Sequence, residues 1–400
     1  MRKVKWNPLL SGVCAVLGGM LLWASAARAD VTSTNAAAIL VFPKVRVDTT
    51  TSTTHLIDTE IQLTNTSSNP VNVRCFYVNA NGHCSNAPSI SCDPSATGVA
   101  IATRCESQFA ACFAGWQETD FAFRLTGKQP IEWRVGEGLA TLPLNDAPSG
   151  GGQFNSGSIP PAPENPMVGE LKCVEVGDDE LPIDSNDLKG EATIEDITTT
   201  ATPSVSVDSR SYNGIGIEAI TGQNNRDNTL VIGQEYNACP AVLIVDHFFD
   251  DAVEPSAAHD TVRSDLTLVP CSEDFNFQQP ITTVVQFLVF NEFEQRFSTS
   301  RSVKCFSELV LSDIDTRPGT TDDGASIFNV NVEGTLTGQT QVRGVADADT
   351  THGHGLLGIV EEFHRHSDGV TVIHSAAFNI HQRGTRTQPD IVLLPGAGVP

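Results

Sequence analysis

Six of the ten histidines fall between residues 352 and 381: His352, His354, His364, His366, His374 and His381. A neutral imidazole offers a nitrogen lone pair near physiological pH, so a cluster of this kind is a candidate for binding a divalent metal. His364 and His366 are two residues apart. In an extended strand both side chains leave the same face about 7 Å from each other, within reach of one ion. His354, ten residues before His364, is about 33 Å away along the same strand and cannot share that ion.

A second reading of the same histidines is structural. If Ser367-Asp368-Gly369 turns a hairpin, then Leu357, Ile359, Phe363, Val372, Phe378 and Ile380 form a core face. His354, His364 and His366 then lie on the solvated face, and His374 on the core face near Glu361. Gly358, five further residues and His364-Arg365-His366 resemble the opening of a cupin metal motif. Val370 and Thr371 stand where that motif has its glutamate, and its second half is missing.

Acidic runs invite calcium. Asp178-Asp179-Glu180 and Asp184-Ser185-Asn186-Asp187 share one turn region, and Asp347-Ala348-Asp349 occupies another. Leu188 and Lys189 occupy places where an EF-hand loop needs a ligand and a glycine, so that motif fails. Searches for a nucleophile elbow, a zinc-protease helix or a phosphate-cradling glycine loop find nothing. Asn65-Thr66-Ser67 is formally a glycosylation acceptor.

The elements that would carry these residues are β-strands, and they repeat. Ala38–Phe42 matches Ala241–Val245, Glu60–Leu63 matches Asp265–Leu268, Val73–Asn79 matches Val285–Asn291, and Leu171–Glu175 matches Leu357–Glu361. Runs rich in Val, Ile, Thr and Phe alternate with Gly, Pro, Asn and Asp clusters; only 105–117, around Cys112, reads as a short helix. The expectation is an all-β chain of two tandem antiparallel β-sandwich (Ig-like) domains, residues 30–235 and 236–400. The first holds a Cys-rich insertion at 80–118 and a Pro/Gly-rich loop at 142–166, and the loop's shorter counterpart runs from Thr316 to Gly324.

Cysteine usage supports the doubling. Cys75 and Cys173 lie on matched strands of the first copy, where the second has Phe287 and Ile359, so a bridge is exchanged for an apolar contact. Cys239 and Cys271 flank the first two strands of the second copy and would meet if those strands form a hairpin. Cys84, Cys92, Cys105 and Cys112 lie in the insertion and make two local disulfides of open connectivity, their gaps fitting no structural zinc site. Cys305 is left over, as a buried free thiol.

The N-terminus sets the compartment. Arg2, Lys3 and Lys5 precede an apolar run from Leu9 to Trp23, and Ala27-Arg28-Ala29 offers a cleavage site, so residues 1–29 read as a secretory signal peptide. The protein is expected to be periplasmic or extracellular, where disulfides persist. Four of the 24 Lys and Arg lie in that segment, leaving 20 against 48 Asp and Glu, a net charge of −28. Such a surface repels phosphate backbones, which argues against nucleic acid as a partner. No later stretch is apolar and long enough for a transmembrane helix.

Ile39-Leu40-Val41-Phe42-Pro43-Lys44-Val45, Ile61-Gln62-Leu63-Thr64-Asn65-Thr66, Val73-Arg74-Cys75-Phe76-Tyr77-Val78-Asn79, Leu171-Lys172-Cys173-Val174-Glu175 and Asn291-Glu292-Phe293-Glu294-Gln295-Arg296-Phe297 resemble segments of exported bacterial proteins of uncharacterised function. That resemblance implies no activity or ligand. The leading expectation is a non-enzymatic binding or structural protein of the cell envelope, with a protein or carbohydrate partner and no cofactor. The alternatives are a metal-dependent enzyme or metal-binding protein using His364 and His366, and a calcium-stabilised adhesion module.

Overall fold

A computed structural model describes residues 31–396 apart from 85–86, 93–111, 115–116, 142, 145–152, 155–157, 200–204, 251, 254–259, 280, 316–325, 346–352 and 368–370. The segment expected to be a signal peptide, Cys105, Asp347-Ala348-Asp349 and Asp368-Gly369 of the expected hairpin turn lie outside the described residues. The chain is all-β, with antiparallel pairing throughout its main sheets.

Nine strands build the two larger sheets of the first half. They are β1 (Ile39–Val47), β2 (His55–Asn65), β3 (Val71–Asn79), β4 (Gln117–Leu125), β5 (Pro130–Arg134), β6 (Met167–Val176), β7 (Leu188–Thr199), β8 (Val205–Asn213) and β9 (Ile215–Ile217). One sheet runs β9-β1-β6-β3-β4 and the other β8-β7-β2-β5. After a connecting strand, β10 (Thr229–Ile232), nine more follow in the same pattern. They are β11 (Pro240–Phe248), β12 (Thr261–Pro270), β13 (Thr282–Asn291), β14 (Arg296–Lys304), β15 (Ser307–Val310), β16 (Thr337–Val345), β17 (Leu356–Arg365), β18 (Val372–Asn379) and β19 (His381–Thr385). Their sheets run β19-β11-β16-β13-β14 and β18-β17-β12-β15, the same order displaced by ten labels, with the short strand Ala252–Val253 also pairing with the start of β12. A last strand, β20 (Asp390–Leu393), pairs with β10 and with Glu273–Asp274 in a fifth sheet. The sheets together resemble a five-bladed, propeller-like ring.

The repeat holds residue by residue, with one correction. Cys75 faces Cys173 across β3 and β6, and Phe287 faces Val342 across β13 and β16. The partner of β6 is therefore β16, not the Leu357–Glu361 segment. That segment lies in β17, whose counterpart is β7: Gly190 opposes Leu63 on β2, and Gly358 opposes Leu268 on β12. Both glycines are required by close packing, since a Cβ would come within 2.5 Å of Gln62 O at Gly190 and 2.3 Å of Thr267 O at Gly358. The Leu-x-Gly of each strand, Leu188 to Gly190 and Leu356 to Gly358, is the signal that could have given the right match.

Three cores form. Leu40, Phe42, Ile61, Leu63, Val73, Cys75, Trp133, Leu171 and Ala192 fill the space between the first half's two sheets. Leu243, Leu266, Val285, Phe287, Val342 and Val360 do the same in the second. The third lies between the halves: Ile39, Val41, Phe76, Val78 and Val174, on the outer face of the first five-stranded sheet, meet Leu230, Tyr236, Phe275, Leu357 and Val392. Alternation explains this, because odd and even residues of one strand serve opposite faces. β6 is buried at nine of its ten positions, since Leu171 and Cys173 face one core while Lys172 and Val174 face the other.

Cys75 is bonded to Cys173 and Cys239 to Cys271, while Cys305 is free and buried. The second bridge does not close a hairpin. β11 and β12 belong to different sheets, so the bond ties one sheet to the other. Cys112–Ala114 is a strand rather than a helix, pairing with Gly82–Cys84 so that Cys84 opposes Cys112. The side chains of the four insertion cysteines, and so their pairing, lie outside the described residues.

Candidate functional site

The groups best placed for chemistry sit at the seam between the halves. β1 carries a register shift between Phe42 and Val45, and Lys44 lies in that irregularity, where a bulge re-aims a side chain. Its Nζ donates to Glu308 Oε1 of β15 at 2.6 Å and contacts Glu361 Oε2 of β17. Arg210 of β8 donates from Nε to the other Glu361 oxygen at 2.9 Å and from Nη1 to Ser375 Oγ at 3.1 Å. The guanidinium also lies over the Phe363 ring, 5.1 Å from its centroid. Tyr212 contributes its hydroxyl, which accepts from the Lys44 amide and donates to the Lys44 carbonyl.

Electrostatics favour the charged forms of Lys44 and Glu308. Burial works to lower the Lys44 ammonium, but Glu361 and Glu308 outweigh it and raise it above the ordinary lysine value. For Glu308, burial works upward and Lys44 wins, keeping the carboxyl below its usual range. The face is set by alternation on β17: Leu357, Ile359, Glu361 and Phe363 all point at the first half.

A second cluster lies in the inter-half core. Lys172 of β6 contacts Glu273 Oε2, and Glu170 Oε1 is 3.7 Å from the same Nζ. All three side chains are buried. Phe76 stacks on Phe275 at 4.4 Å, and Lys172 Nζ sits 5.5 Å from the Phe275 centroid. Burial first, and then the neighbouring Glu273, push the Glu170 carboxyl well above the usual range.

An open cleft of about 560 Å³ lies where β11 and β13 end and β16 begins. Asp246, Glu292, Glu294 and Glu362 line it, so it complements a cationic group. Asn291 shapes the rim through Oδ1, which accepts from the amides of Phe293 and Gln295, each at 3.0 Å. Glu292 accepts from Thr337 Oγ1 at 2.6 Å and Asp246 from Gln339 Nε2 at 3.1 Å. His247, at its base, is held neutral: burial lowers its pKa to about 4, and Nε2 meets Thr340 Oγ1 at 2.8 Å.

The histidines of the metal reading are scattered. His364 Nε2 lies 2.8 Å from Glu362 Oε1 and its ring stacks on His374 at 4.2 Å. His366 lies beyond the end of β17 with Nδ1 3.4 Å from Asp260. Neither belongs to a set of three converging donors among the described residues; the one such set is Cys239, Cys271 and Asp390, and its cysteines are already bonded to each other. His354 is buried rather than on the outer face, because Gly353 and Gly355 let the chain wrap Asp390 there. His374 and Val372 are exposed rather than in the core, since the alternate face of the β17–β18 hairpin is the one that docks on the first half.

The acidic turns are tied into loops. Asn72 Nδ2 donates to Asp178, Arg226 pairs with Asp179 at 2.8 Å, and Asp184 accepts from the Gly222 amide. Asn65 is buried, its amide donating to the Asn69 and Thr126 carbonyls at 2.7 and 2.9 Å, so the sequon is spent on a turn. Sequence reading missed Lys44, Arg210, Lys172 and Glu273, and it placed Glu361 beside His374 rather than with Lys44 and Arg210. The available signal was a charge inside an otherwise apolar strand, as in Phe42-Pro43-Lys44-Val45 and Leu171-Lys172-Cys173.

No protein family matches the chain, and no curated protein matches it. Among solved structures, it was aligned with the InvG secretin domain β-barrel from the Salmonella SPI-1 injectisome NC-base, at 9% identity and a TM-score of 0.07. That alignment covers 74% of this chain and 65% of the other, and carries no argument about fold or function. No helix among the described residues is long and apolar enough to cross a membrane.

Proposed function

We propose that this is an exported, non-enzymatic binding or structural protein of the cell envelope, made of two β-sandwiches fused into one body. The carrying observation is that the side chains most capable of chemistry, Lys44, Glu361, Arg210, Lys172 and Glu273, are sealed in the seam and spent on joining the halves. In each half two sheets enclose an apolar core, which supports the sandwich reading. β2 beside β5 and β3 beside β6 reproduce the central pairings of an Ig-like key. β1 beside β6 and β7 beside β2 depart from it, so the likeness is to its centre.

Contact with a partner falls to exposed surface, and the acidic cleft suits a cationic group on an envelope protein or an amino sugar. Two measurements test the reading. N-terminal sequencing of protein from cell fractions should find the chain outside the cytoplasm, beginning at Asp30. Retention by isolated envelopes should fall at least several-fold in the Glu292→Gln, Glu294→Gln double variant and fall with added salt. Cytoplasmic protein with an intact N-terminus would refute the export, and unchanged retention would refute the cleft.

A further inference from the structure

We propose that Lys172 and Glu273 condense with each other after folding, forming an amide that joins the first half covalently to the second, with Glu170 as the proton-transferring acid. Lys172 stands on the face of β6 turned to the inter-half core, and Glu273 lies in the short strand beside β20. Their side chains are each 2% exposed and in contact, and Glu170 is 1% exposed with Oε1 3.7 Å from the lysine nitrogen. Phe76 and Phe275 wall the site with stacked rings.

Both oxygens of Glu170 and Oε1 of Glu273 have no hydrogen-bond partner. Buried polar groups are normally satisfied, and such exceptions call for a reason. Two carboxylates against one ammonium would leave a net negative charge in an apolar core, so one carboxyl keeps its proton. The trio thus holds an amine, a carboxyl whose oxygen it contacts, and a spare acid.

The step balances without any added reagent. In the low-dielectric site the ammonium proton passes to the Glu273 carboxylate, giving a neutral amine and a neutral acid. Nζ attacks Glu273 Cδ, the N–C bond forms, and the carbonyl π pair moves onto oxygen. Glu170 delivers its proton to the departing hydroxyl and takes one from the nitrogen, the C–O bond breaks, and one water leaves. Glu170 ends as it began. Fixed contact is equivalent to a reactant concentration of up to about 10⁵ to 10⁸ M. One turnover suffices, so only a small neutral fraction of Lys172 is required.

Lys44 provides an internal contrast. It touches Glu361 in the same manner, but Arg210 donates to the other Glu361 oxygen at 2.9 Å, and the third carboxyl there, Glu308, is kept below its usual range by Lys44 and has no proton to deliver. Lys44 remains an ion pair.

Intact mass of the purified, processed and reduced chain tests this. The wild type should weigh about 18 Da less than its sequence, one water. A protease digest should contain a branched peptide joining Lys172 to Glu273. Lys172→Met and Glu273→Gln should restore the full mass, and Lys44→Met should keep the loss. Glu170→Gln, which retains both reactants, should slow the loss at least tenfold in freshly refolded protein. Wild-type protein at its full sequence mass would overturn the proposal even if every variant failed to fold. So would a loss that survives Lys172→Met, or an unchanged rate in Glu170→Gln.

Discussion

Replacing Glu361 by alanine should be among the most damaging single changes to this molecule. The carboxylate is 1% exposed and accepts from two cations of the first half, Lys44 and Arg210, themselves 1% and 3% exposed. Removing it leaves the buried Lys44 with Glu308 and the buried Arg210 with Asp208 at 3.3 Å, carboxylates that are themselves 27% and 29% exposed. Breaking a buried pair by deleting one partner costs about 3 to 5 kcal/mol, and two buried cations that lose their one buried carboxylate place this case at the upper end. Lys44→Met should cost less, about 3 kcal/mol, because Arg210 still neutralises Glu361 and Glu308 is partly open to solvent. The triple change Lys44→Met, Arg210→Met, Glu361→Leu should recover most of the loss, since a well-packed apolar replacement avoids the desolvation. Urea unfolding at pH 7 measures all three, with circular dichroism reporting on both halves and Trp133 fluorescence on the first. A cost below about 1 kcal/mol for Glu361→Ala, or a triple variant as weak as the single one, would refute the reasoning.

Glu175 is raised to about 8, chiefly by burial and then by Asp187, so its folded state prefers the proton. Such a group stabilises at low pH and loses that stability as pH rises from its ordinary value of 4.5 toward 8. His247 acts in the opposite sense only between about 4 and 6.5, so the urea midpoint should fall from pH 6.5 to 8, and less so in Glu175→Gln. Gly190→Ala and Gly358→Ala should each destabilise by about 1 to 3 kcal/mol in chemical denaturation, because the new methyl meets backbone oxygen on β2 or β12; a neutral outcome at either would undo the strand match. Replacing Cys75 and Cys173 by alanine opens a link spanning 98 residues and should cost about 4 to 5 kcal/mol, against about 3 to 4 for the 32-residue span of Cys239 and Cys271. The Cys75→Phe, Cys173→Val graft, taken from Phe287 and Val342, should lose less than the alanine pair. Elemental analysis after metal exposure should give equal zinc for wild type and the His364→Ala, His366→Ala variant; a stoichiometric difference would restore the metal reading.

Strand content and the order of the repeat were readable because they rest on local pattern. Leu188-Lys189-Gly190-Glu191-Ala192-Thr193-Ile194 alternates cleanly, apolar inward and polar outward. Its counterpart, Leu356 to Phe363, does not alternate, because one face fills its own core while the other docks on the first half. That docking was invisible from within either copy. It is a property of two surfaces meeting, so the odd positions of β17 read as core of the wrong body, and His354 and His374 were assigned to the wrong faces. The Cys239–Cys271 pair was legible for a similar reason in reverse: both cysteines flank matched strands, and proximity survives whether those strands pair or stack. The buried lysines were hard to see because an isolated charge in a strand usually marks a solvated face.

Asp390 accepts from the Gly355 amide at 2.9 Å and from Ser272 Oγ at 3.0 Å, anchoring the final strand against β10. A chain that emerges amino end first from the ribosome can close its early sheets long before residue 390 follows. Until then Ile39, Val41, Phe76 and Val174 lack the cover that Val392 and Leu394 provide. The last few residues thus act as the latch on a lid, and ribosome stalling or proteolytic trimming short of Asp390 would release a sticky intermediate rather than a slightly shorter protein.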